Sequence, residues 1–171
     1  MKKTFTFMLV FMLASTSFAK KNPLVGVWQQ VRQVENGFVT LGPGGKVFLP
    51  DGRLFGYSLY PSDFENYEEY NFEPWLFADY EVTSDSTYTE QISLHNDKGW
   101  ETTLNFTYKL LNSRTLYAFY EHTNSDGTKQ VIHDLWIKAV YDKKTEKMIF
   151  KKVDANWNEY FEKAKKQYGR E

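Results

Sequence analysis

The fold is decided by the stretch Trp100-Glu-Thr-Thr-Leu-Asn-Phe-Thr-Tyr-Lys-Leu110, in which apolar or aromatic side chains alternate with polar ones at every position except Thr102. Successive side chains of a β-strand point to opposite faces of the sheet, so a period of two marks a strand with one buried face. An amphipathic helix would instead repeat its apolar residues every three or four positions. The stretch therefore predicts a half-buried strand.

Seven other runs of this kind predict further strands, which gives about eight in all: 24–34, 46–49, 54–60, 76–83, 87–95, 115–123 and 128–140. Turn signals separate the runs, among them Pro-Gly-Gly at 43–45 and Ser-Asp-Gly at 125–127, and they are too short for helical crossovers. A meander of eight strands removes its two edges by closing. The predicted fold is therefore all-β, a single antiparallel up-and-down β-barrel.

The C-terminal segment changes to a helical period. Its large side chains stand at offsets of 0, 3, 4, 7 and 11 with polar residues between them: Trp157, Tyr160, Phe161, Ala164 and Tyr168. Gly169 follows, and glycine commonly ends helices. The spacing predicts an amphipathic C-terminal α-helix at about 156–168. Residues 148–153 are a candidate for one more short strand before it.

The first residues have the pattern of a secretory signal peptide. Lys2 and Lys3 precede a mostly apolar run, and Ser17 and Ala19 supply the small side chains expected before a cleavage site. The run is shorter than the roughly 20 residues that span a bilayer, so we expect cleavage rather than a retained anchor. We therefore expect a signal peptide over 1–19, no membrane span after cleavage, and a periplasmic or secreted product. Because the sequence has no Cys, we do not expect a lipoprotein.

Length and charge narrow the function classes. Residues 20–171 suffice for one domain with a real core. Without Lys2 and Lys3, 19 basic residues remain against 22 acidic ones, and this net negative charge disfavours nucleic acid as a partner. The absence of Cys excludes disulfides and thiolate metal sites. Aromatic residues make up 18% of the chain, and such side chains suit strands and the walls of apolar pockets.

The opening Gly26-Val27-Trp28, followed by a meander and a terminal helix, resembles the lipocalins. The resemblance implies that Trp28 closes the base of the barrel and that a basic residue, best matched by Lys138, packs over it. The chain is also similar to uncharacterised lipocalin-like (calycin-type) proteins exported by bacteria, which combine such an opening with Tyr-Glu-Val as at 80–82 and Asp-Ser-Thr-Tyr-Thr-Glu as at 85–90. That family implies the fold without an established ligand, and residues 141–171 run beyond its usual end.

Pairing across the hairpin centred on Asp126-Gly127 predicts a polar spot in the interior. An Asp-Gly centre favours a two-residue turn, which sets Tyr120 opposite His133 and places Leu135 on the same face. This face is mostly apolar, so we expect it to line the barrel. Tyr120 and His133 then either contact a ligand or only bond each other in a filled core, unless a bulge shifts the register.

Glu90 is the main candidate for a functional residue. It shares a predicted interior face with Tyr88 and Leu94, and an isolated ionised carboxylate in an apolar interior is strongly disfavoured. We therefore expect Glu90 to be paired, protonated or hydrogen-bonded by a tyrosine such as Tyr80 or Tyr108, as a structural carboxylate or as a ligand contact. The predicted walls of the cavity are Tyr88, Phe106, Tyr108 and Leu135.

The connection over 61–75 has an unusual composition, with five acidic residues, five aromatic residues and no basic one. Loops of this length often cover sites. We predict either a lid at the barrel mouth or a solvated loop whose aromatic side chains rest on the barrel. Its acidity favours a cationic ligand or a basic protein surface.

Sequence signatures of catalysis are missing. No Gly-rich phosphate loop precedes a helix, and His95 is predicted to face away from Glu90, so we expect no cluster of three histidines around a metal and no cofactor. We predict a binding protein for a small hydrophobic or amphipathic molecule, with Glu90, Tyr120 and His133 as polar contacts. The alternatives are a cell-envelope interaction module that uses 63–75, and a small-molecule enzyme acting in the cavity. The oligomeric state is not predicted.

Overall fold

A computed structural model describes residues 22–35, 38–61 and 70–139, together with Glu159, Glu162 and Lys166. The described ranges form eight strands: β1 (Gly26–Glu35), β2 (Phe38–Phe48), β3 (Arg53–Pro61), β4 (Tyr70–Val82), β5 (Thr87–His95), β6 (Thr103–Asn112), β7 (Thr115–Thr123) and β8 (Lys129–Lys138). Each strand pairs antiparallel with the next, and β8 pairs with β1. The predicted all-β, up-and-down barrel of about eight strands is confirmed.

Outside the barrel, only three residues of the predicted C-terminal helix are described. Glu159, Glu162 and Lys166 are helical and exposed, as expected for the polar face of that helix. None of the described helical residues forms a helix long and apolar enough to cross a membrane. The predicted signal peptide over 1–19 and the candidate strand over 148–153 lie outside the described residues.

The interior of the barrel is filled largely by one alternating set of apolar side chains. This core includes large residues from most of the strands, such as Trp28, Phe48, Leu76, Phe106 and Trp136. Full burial of an aliphatic or aromatic side chain stabilises a fold by about 1.5–3 kcal/mol. Burial of this interior set is therefore a major source of stability for the barrel.

A second apolar cluster lies on the outer face of the first five strands: Val27, Val47, Leu49, Phe55, Tyr57, Phe77 and Leu94. These residues occupy the positions between interior ones, as Phe77 does between Leu76 and Ala78. Strands β2 and β3 are consequently apolar on both faces. β6 differs, because its outward positions are largely exposed, and this is why β6 shows the clearest alternation in the sequence.

Gly26, Trp28 and Lys138 pack together where β1 meets β8. Trp28 is fully buried, and its indole N–H donates a hydrogen bond of 2.6 Å to the carbonyl of Leu24. Lys138 pairs with Trp28 across the seam, and its Nζ lies 5.2 Å from the centroid of the indole ring. Gly26 has a φ of 141°, and a Cβ there would collide with the side chain of Lys138. Only glycine fits this position well.

Two predicted connections lie at least partly within strands. The Pro-Gly-Gly at 43–45 lies inside β2 and not in a turn, because β1 and β2 change register around it. The side-chain amide of Gln29 donates to the carbonyls of Gly42 (2.6 Å) and Gly44 (2.8 Å), so it replaces ladder bonds that the irregularity removes. Residues 70–75 likewise belong to β4. The remainder of the predicted lid, 62–69, lies outside the described residues.

The turn between β7 and β8 has three residues rather than the predicted two. The backbone N–H of Asn124 donates to the carbonyl of Thr128 (2.8 Å), that of Gly127 donates to the carbonyl of Asn124 (2.9 Å), and Gly127 takes a φ of 83°. This combination is a tight turn followed by a left-handed glycine, the usual form of a three-residue hairpin loop. The extra residue shifts the register of β8 by one position.

That shift exchanges the two faces of β8. Tyr120 lies opposite Ile132 and not His133. Asp134 is therefore on the interior face, while His133 and Leu135 point outward. The predicted interior positions of His133 and Leu135 were wrong, because a one-residue slip moves every side chain of a strand to the other face.

A bulge in β5 has a similar effect. Phe77 pairs with Leu94 and Ala78 pairs with Ile92, so Ser93 is an extra residue, and its hydroxyl donates to the carbonyl of Phe77 at 3.1 Å. Leu94 consequently joins the outer cluster, and His95 turns inward. The predictions that Leu94 shares the face of Glu90 and that His95 opposes it were both wrong.

Candidate functional site

The interior of the barrel contains a cavity of about 220 Å³. Its walls are mostly aromatic and aliphatic, and its polar side chains come from five strands: Gln30, Lys46, Glu90, His95, Tyr120 and Asp134. Sites for drug-sized ligands usually measure about 300–1,000 Å³. The cavity therefore suits a smaller molecule.

A buried ion pair crosses the interior beside the cavity. Lys46 from β2 places its Nζ 2.6 Å from Oε1 of Glu90 in β5, and the side chains are only 9% and 1% exposed. Both residues project inward from strands that are not neighbours in the sheet. The pair provides the partner that the sequence required for Glu90. Tyr80 does not take that role, because its hydroxyl donates to the carbonyl of Leu49 at 2.8 Å.

The two charged groups of this pair are satisfied to different degrees. The Nζ of Lys46 also lies over the rings of Phe106 (4.7 Å to the centroid) and Trp136 (5.9 Å), so its remaining charge faces π-electron density. Oε2 of Glu90 is buried and has no hydrogen-bond partner among the described residues. The pair therefore leaves one buried acceptor available at the cavity.

Asp134 adds a second carboxyl group to the cavity. The side-chain amide of Gln30 donates to its Oδ1 over a long distance of 3.4 Å. Burial raises the pKa of Asp134 above its ordinary value, against the opposing effects of the Lys46 charge and the Gln30 hydrogen bond. A carboxyl group whose pKa rises despite a nearby cation is poorly solvated by the protein.

Three aromatic rings pack together beside the Lys46–Glu90 pair, two of them stacked and the third tilted. The rings of Tyr88 and Phe106 are parallel with centroids 4.6 Å apart, and the ring of Tyr120 lies 4.5 Å from that of Phe106. Burial raises the pKa of Tyr88 and of Tyr120, and the Glu90 charge raises both further. Both phenols therefore stay protonated at neutral pH, and that of Tyr88 interacts with the Glu90 carboxylate.

A second stack of rings lies at one side of the cavity, around Trp100. The rings of His95 and His122 both stack with Trp100 (4.8 Å and 4.1 Å between centroids), while Trp75 meets His95 edge to face. Trp75, His95 and Trp100 line the cavity. His95 and His122 therefore both contact Trp100 at the cavity, whereas the sequence predicted that His95 faces away from Glu90.

The ionisable groups of this second stack do not form a metal site. Nδ1 of His122 lies 3.4 Å from Oε2 of Glu101, and Nδ1 of His95 accepts a hydrogen bond from the backbone N–H of Asp97 at 2.9 Å. Among the described residues, no three His, Cys, Asp or Glu side chains are placed to hold a metal ion.

The sequence-predicted site residues fall into three groups. Glu90, Phe106 and Tyr120 line the cavity. Tyr88 and Tyr108 are buried in the interior core without being among the lining residues. The remaining two are on the outside of β8, where Nδ1 of His133 lies 2.7 Å from the hydroxyl of Tyr117 and Leu135 is half-buried.

Sequence reasoning missed Lys46 and Asp134. Lys46 is two residues before Phe48, a core residue, so both side chains point to the same face of β2. This spacing was the signal in the sequence that could have placed Lys46 in the interior. This signal was obscured because Val47, the residue between Lys46 and Phe48, is also apolar. Asp134 was missed because the two-residue turn placed it on the outer face.

The closed barrel of eight antiparallel strands, the contact of Lys138 with the Trp28 ring and the interior cavity give this chain a lipocalin-like β-barrel fold. Residues 23–147 match the family described as Domain of unknown function (DUF4488), and the chain belongs to that family. No curated protein matches the chain significantly.

Solved structures of bovine odorant binding protein resemble this barrel. The complex with a selenium-containing odorant is 18% identical over 78% of this chain and 82% of the bovine one, with a TM-score of 0.39. The complexes with its natural ligand and with undecanal are each 17% identical over 78% of this chain, covering 83% and 82% of the bovine chain, also at a TM-score of 0.39.

Proposed function

We propose that this protein binds a small, at least partly apolar molecule in the interior of its barrel. The observation that carries the proposal is the cavity of about 220 Å³ next to the buried Lys46–Glu90 pair. Protein interiors are normally packed as densely as organic crystals, and an eight-stranded barrel can be filled by its own side chains. A space of this size with charged walls therefore supports a binding role.

The energetics of the ion pair support the same role. Removing two charges from water costs several kcal/mol for each ion, and apolar residues of similar volume often stabilise a core equally well or better. Stability alone does not require Lys46 and Glu90 in the interior. We interpret the pair as part of a ligand site.

We also propose that the protein is exported and cleaved near residue 19. The basic, apolar and small-residue pattern of 1–19 supports this proposal. N-terminal sequencing of the protein from its own host would test it. A mature chain that begins within a few residues of Lys20 is the expected result, and an intact N-terminus would contradict it.

Native mass spectrometry of the protein purified from its own host would test the binding function. We expect a stoichiometric adduct that denaturing extraction releases as a small molecule. Ile132 lines the cavity and Val131 beside it is exposed on the outer face, so Ile132→Trp and Val131→Trp form a matched pair. Ile132→Trp should abolish the adduct and Val131→Trp should retain it.

An adduct that survives Ile132→Trp would place the ligand elsewhere on the molecule. Complete absence of adduct, together with no uptake of apolar probes by the purified protein, would contradict the proposal. That result would favour the protein-interaction module that uses residues 63–75.

A further inference from the structure

The charges that line the cavity do not balance. Lys46 is the single Lys or Arg among its described lining residues, and its ammonium is already 2.6 Å from Glu90. Asp134 lines the same cavity as a second carboxyl group. When all three groups are ionised, the cavity carries one excess negative charge, and a ligand cation would neutralise it.

The cavity also has a buried hydrogen-bond acceptor for which the described residues provide no donor within hydrogen-bond distance. Glu90 is fully buried, and although the Tyr88 phenol interacts with its carboxylate, its Oε2 has no partner within hydrogen-bond distance among the described residues. Leaving a buried charged acceptor unsatisfied costs at least as much as a hydrogen bond normally contributes. A ligand that donates a hydrogen bond at this oxygen would remove the cost, whereas a ligand carboxylate would add another acceptor.

The aromatic walls also favour a cation. Trp75, Trp100 and Trp136 line the cavity with Phe106 and Tyr120. Ring faces attract cations electrostatically, and tryptophan does so most strongly. The ammonium of Lys46 already uses this attraction at Phe106 and Trp136. A ligand ammonium in the same cavity would lie near aromatic rings as well, although Trp100 is already stacked with His95 and His122.

From these observations we propose that the ligand is a small organic amine, which places its protonated nitrogen at the carboxylates of Glu90 and Asp134 and its flat apolar part between the aromatic walls. This inference rests on the proposed binding function and specifies its ligand class. The charges oppose an anionic ligand, because Lys46 is already paired with Glu90 and Asp134 adds a second carboxyl group to the cavity. The volume of about 220 Å³ limits the ligand to roughly one or two rings.

Isothermal titration calorimetry with three probes of similar size would test the inference. The probes are 2-phenylethylamine, 2-phenylethanol and phenylacetate, which share a phenyl ring and differ in charge. At pH 7 we expect the amine to bind at least about tenfold more tightly than the alcohol, since one charge-assisted hydrogen bond contributes about that factor. Phenylacetate should bind most weakly.

A matched pair of variants would assign the effect to the cavity. Asp134→Asn should weaken binding of the amine about tenfold and leave binding of the alcohol unchanged. Asp79→Asn makes the same charge change on the exposed face of β4 and should alter neither. The circular dichroism of both variants would verify their fold, and the comparison of the three probes on the unaltered protein does not depend on any variant.

Two results would overturn the inference. If phenylacetate or the alcohol binds as tightly as the amine, and Ile132→Trp removes that binding, the amine class is wrong while the proposed binding function stands. If none of the probes binds, small aromatic amines are likewise excluded, and the host-derived adduct then decides the binding function separately.

Discussion

At the scale of single residues, the interior of this barrel is organised around Lys46. Its ammonium contacts Glu90 and two aromatic faces, and its charge opposes the rise in pKa that burial causes at Asp134. The ammonium of Lys46 therefore stabilises the ionised form of both carboxyl groups, Glu90 and Asp134. Loss of Lys46 would leave two acidic groups in the interior without a basic partner among the described lining residues.

We predict that Lys46→Met destabilises the protein by about 3–5 kcal/mol, because it leaves the Glu90 charge buried and unpaired. The double variant Lys46→Met/Glu90→Leu should recover most of that loss, since it removes both charges. Urea unfolding monitored by tryptophan fluorescence would measure both. Lys129→Met, at the exposed pair with Glu121, is a control that should change stability little.

A double variant as unstable as the single one would contradict this account. It would mean that Lys46 stabilises the barrel through packing of its aliphatic stem and not through its charge.

Asp134→Asn should raise the free energy of unfolding at neutral pH. The pKa of Asp134 in the folded protein is raised above its ordinary value of 3.8, so the folded state binds this proton more tightly than the unfolded state. The free energy of unfolding therefore falls as pH rises above about 3.8 through the folded pKa. The advantage of the variant should grow over that window and vanish below it.

Thermal melts of both proteins between pH 3 and pH 8 would measure this difference. A constant difference across the range would contradict the assigned cause. Higher stability combined with weaker amine binding would identify Asp134 as a residue that costs stability in the service of binding.

The interior position of Glu90 was predictable from sequence because β5 alternates regularly between Tyr88 and Ile92. Its partner Lys46 was not predictable, because β2 carries apolar residues on both faces. Alternation therefore does not show which face of β2 is interior. Asp134 was inaccessible for a different reason. The face of Asp134 depends on one extra residue in the turn at 125–127, which precedes it in the chain. Alternation alone cannot reveal such an insertion.

At the scale of elements, the sequence predicts where the strands lie but not the register in which neighbouring strands pair. β5 and β7 have the predicted boundaries, since each is flanked by clear turn residues. The Ser93 bulge and the three-residue turn after β7 each add one residue without disturbing the local pattern. These two additions decide that His95 and Asp134 face the cavity while His133 does not. The aromatic and acidic character of the site therefore depends on irregularities in the sheet.

Gly127→Ala tests the turn that sets the register of β8. A Cβ at Gly127 would have open space around it, so its φ of 83° is the source of any cost. We expect the free energy of unfolding to fall by about 1 kcal/mol, because alanine disfavours the left-handed region. Gly127→Asn should cost less, since asparagine tolerates that region.

Equal stabilities for the three proteins, measured by urea unfolding, would contradict a left-handed residue at position 127. That result would instead favour the two-residue turn, with Tyr120 opposite His133, that the sequence predicts.

At the scale of the whole molecule, the barrel is closed unevenly. The ladder between β1 and β8 runs only from Trp28–Lys138 to Gln30–Trp136, whereas that between β7 and β8 runs from Thr115–Ile137 to Thr123–Lys129. Beyond Gln30 the first strand also changes register twice against β2. The seam is paired from Trp28–Lys138 to Gln30–Trp136, and among the described residues the β1–β8 ladder does not continue beyond Gln30.

The weak part of the seam is also next to the candidate site. Gln30 and Asp134 line the interior cavity and, at the same time, an outer groove of about 480 Å³. The long hydrogen bond between these two side chains therefore lies between the groove and the cavity. We infer that separation of β1 from β8 at this point gives a ligand access to the interior.

Hydrogen–deuterium exchange would test this route. Backbone amides exchange through local opening, and openings concentrate where few hydrogen bonds and apolar contacts hold an element. A peptide that covers 26–35 in β1 should therefore exchange faster than one that covers 115–123 in β7, which is paired along both edges. A saturating concentration of 2-phenylethylamine should slow exchange in β1 and leave β7 unchanged, because the ligand is bound only when the seam is closed. Equal protection of the two strands, or a ligand effect confined to β7, would place the route to the cavity elsewhere on the barrel.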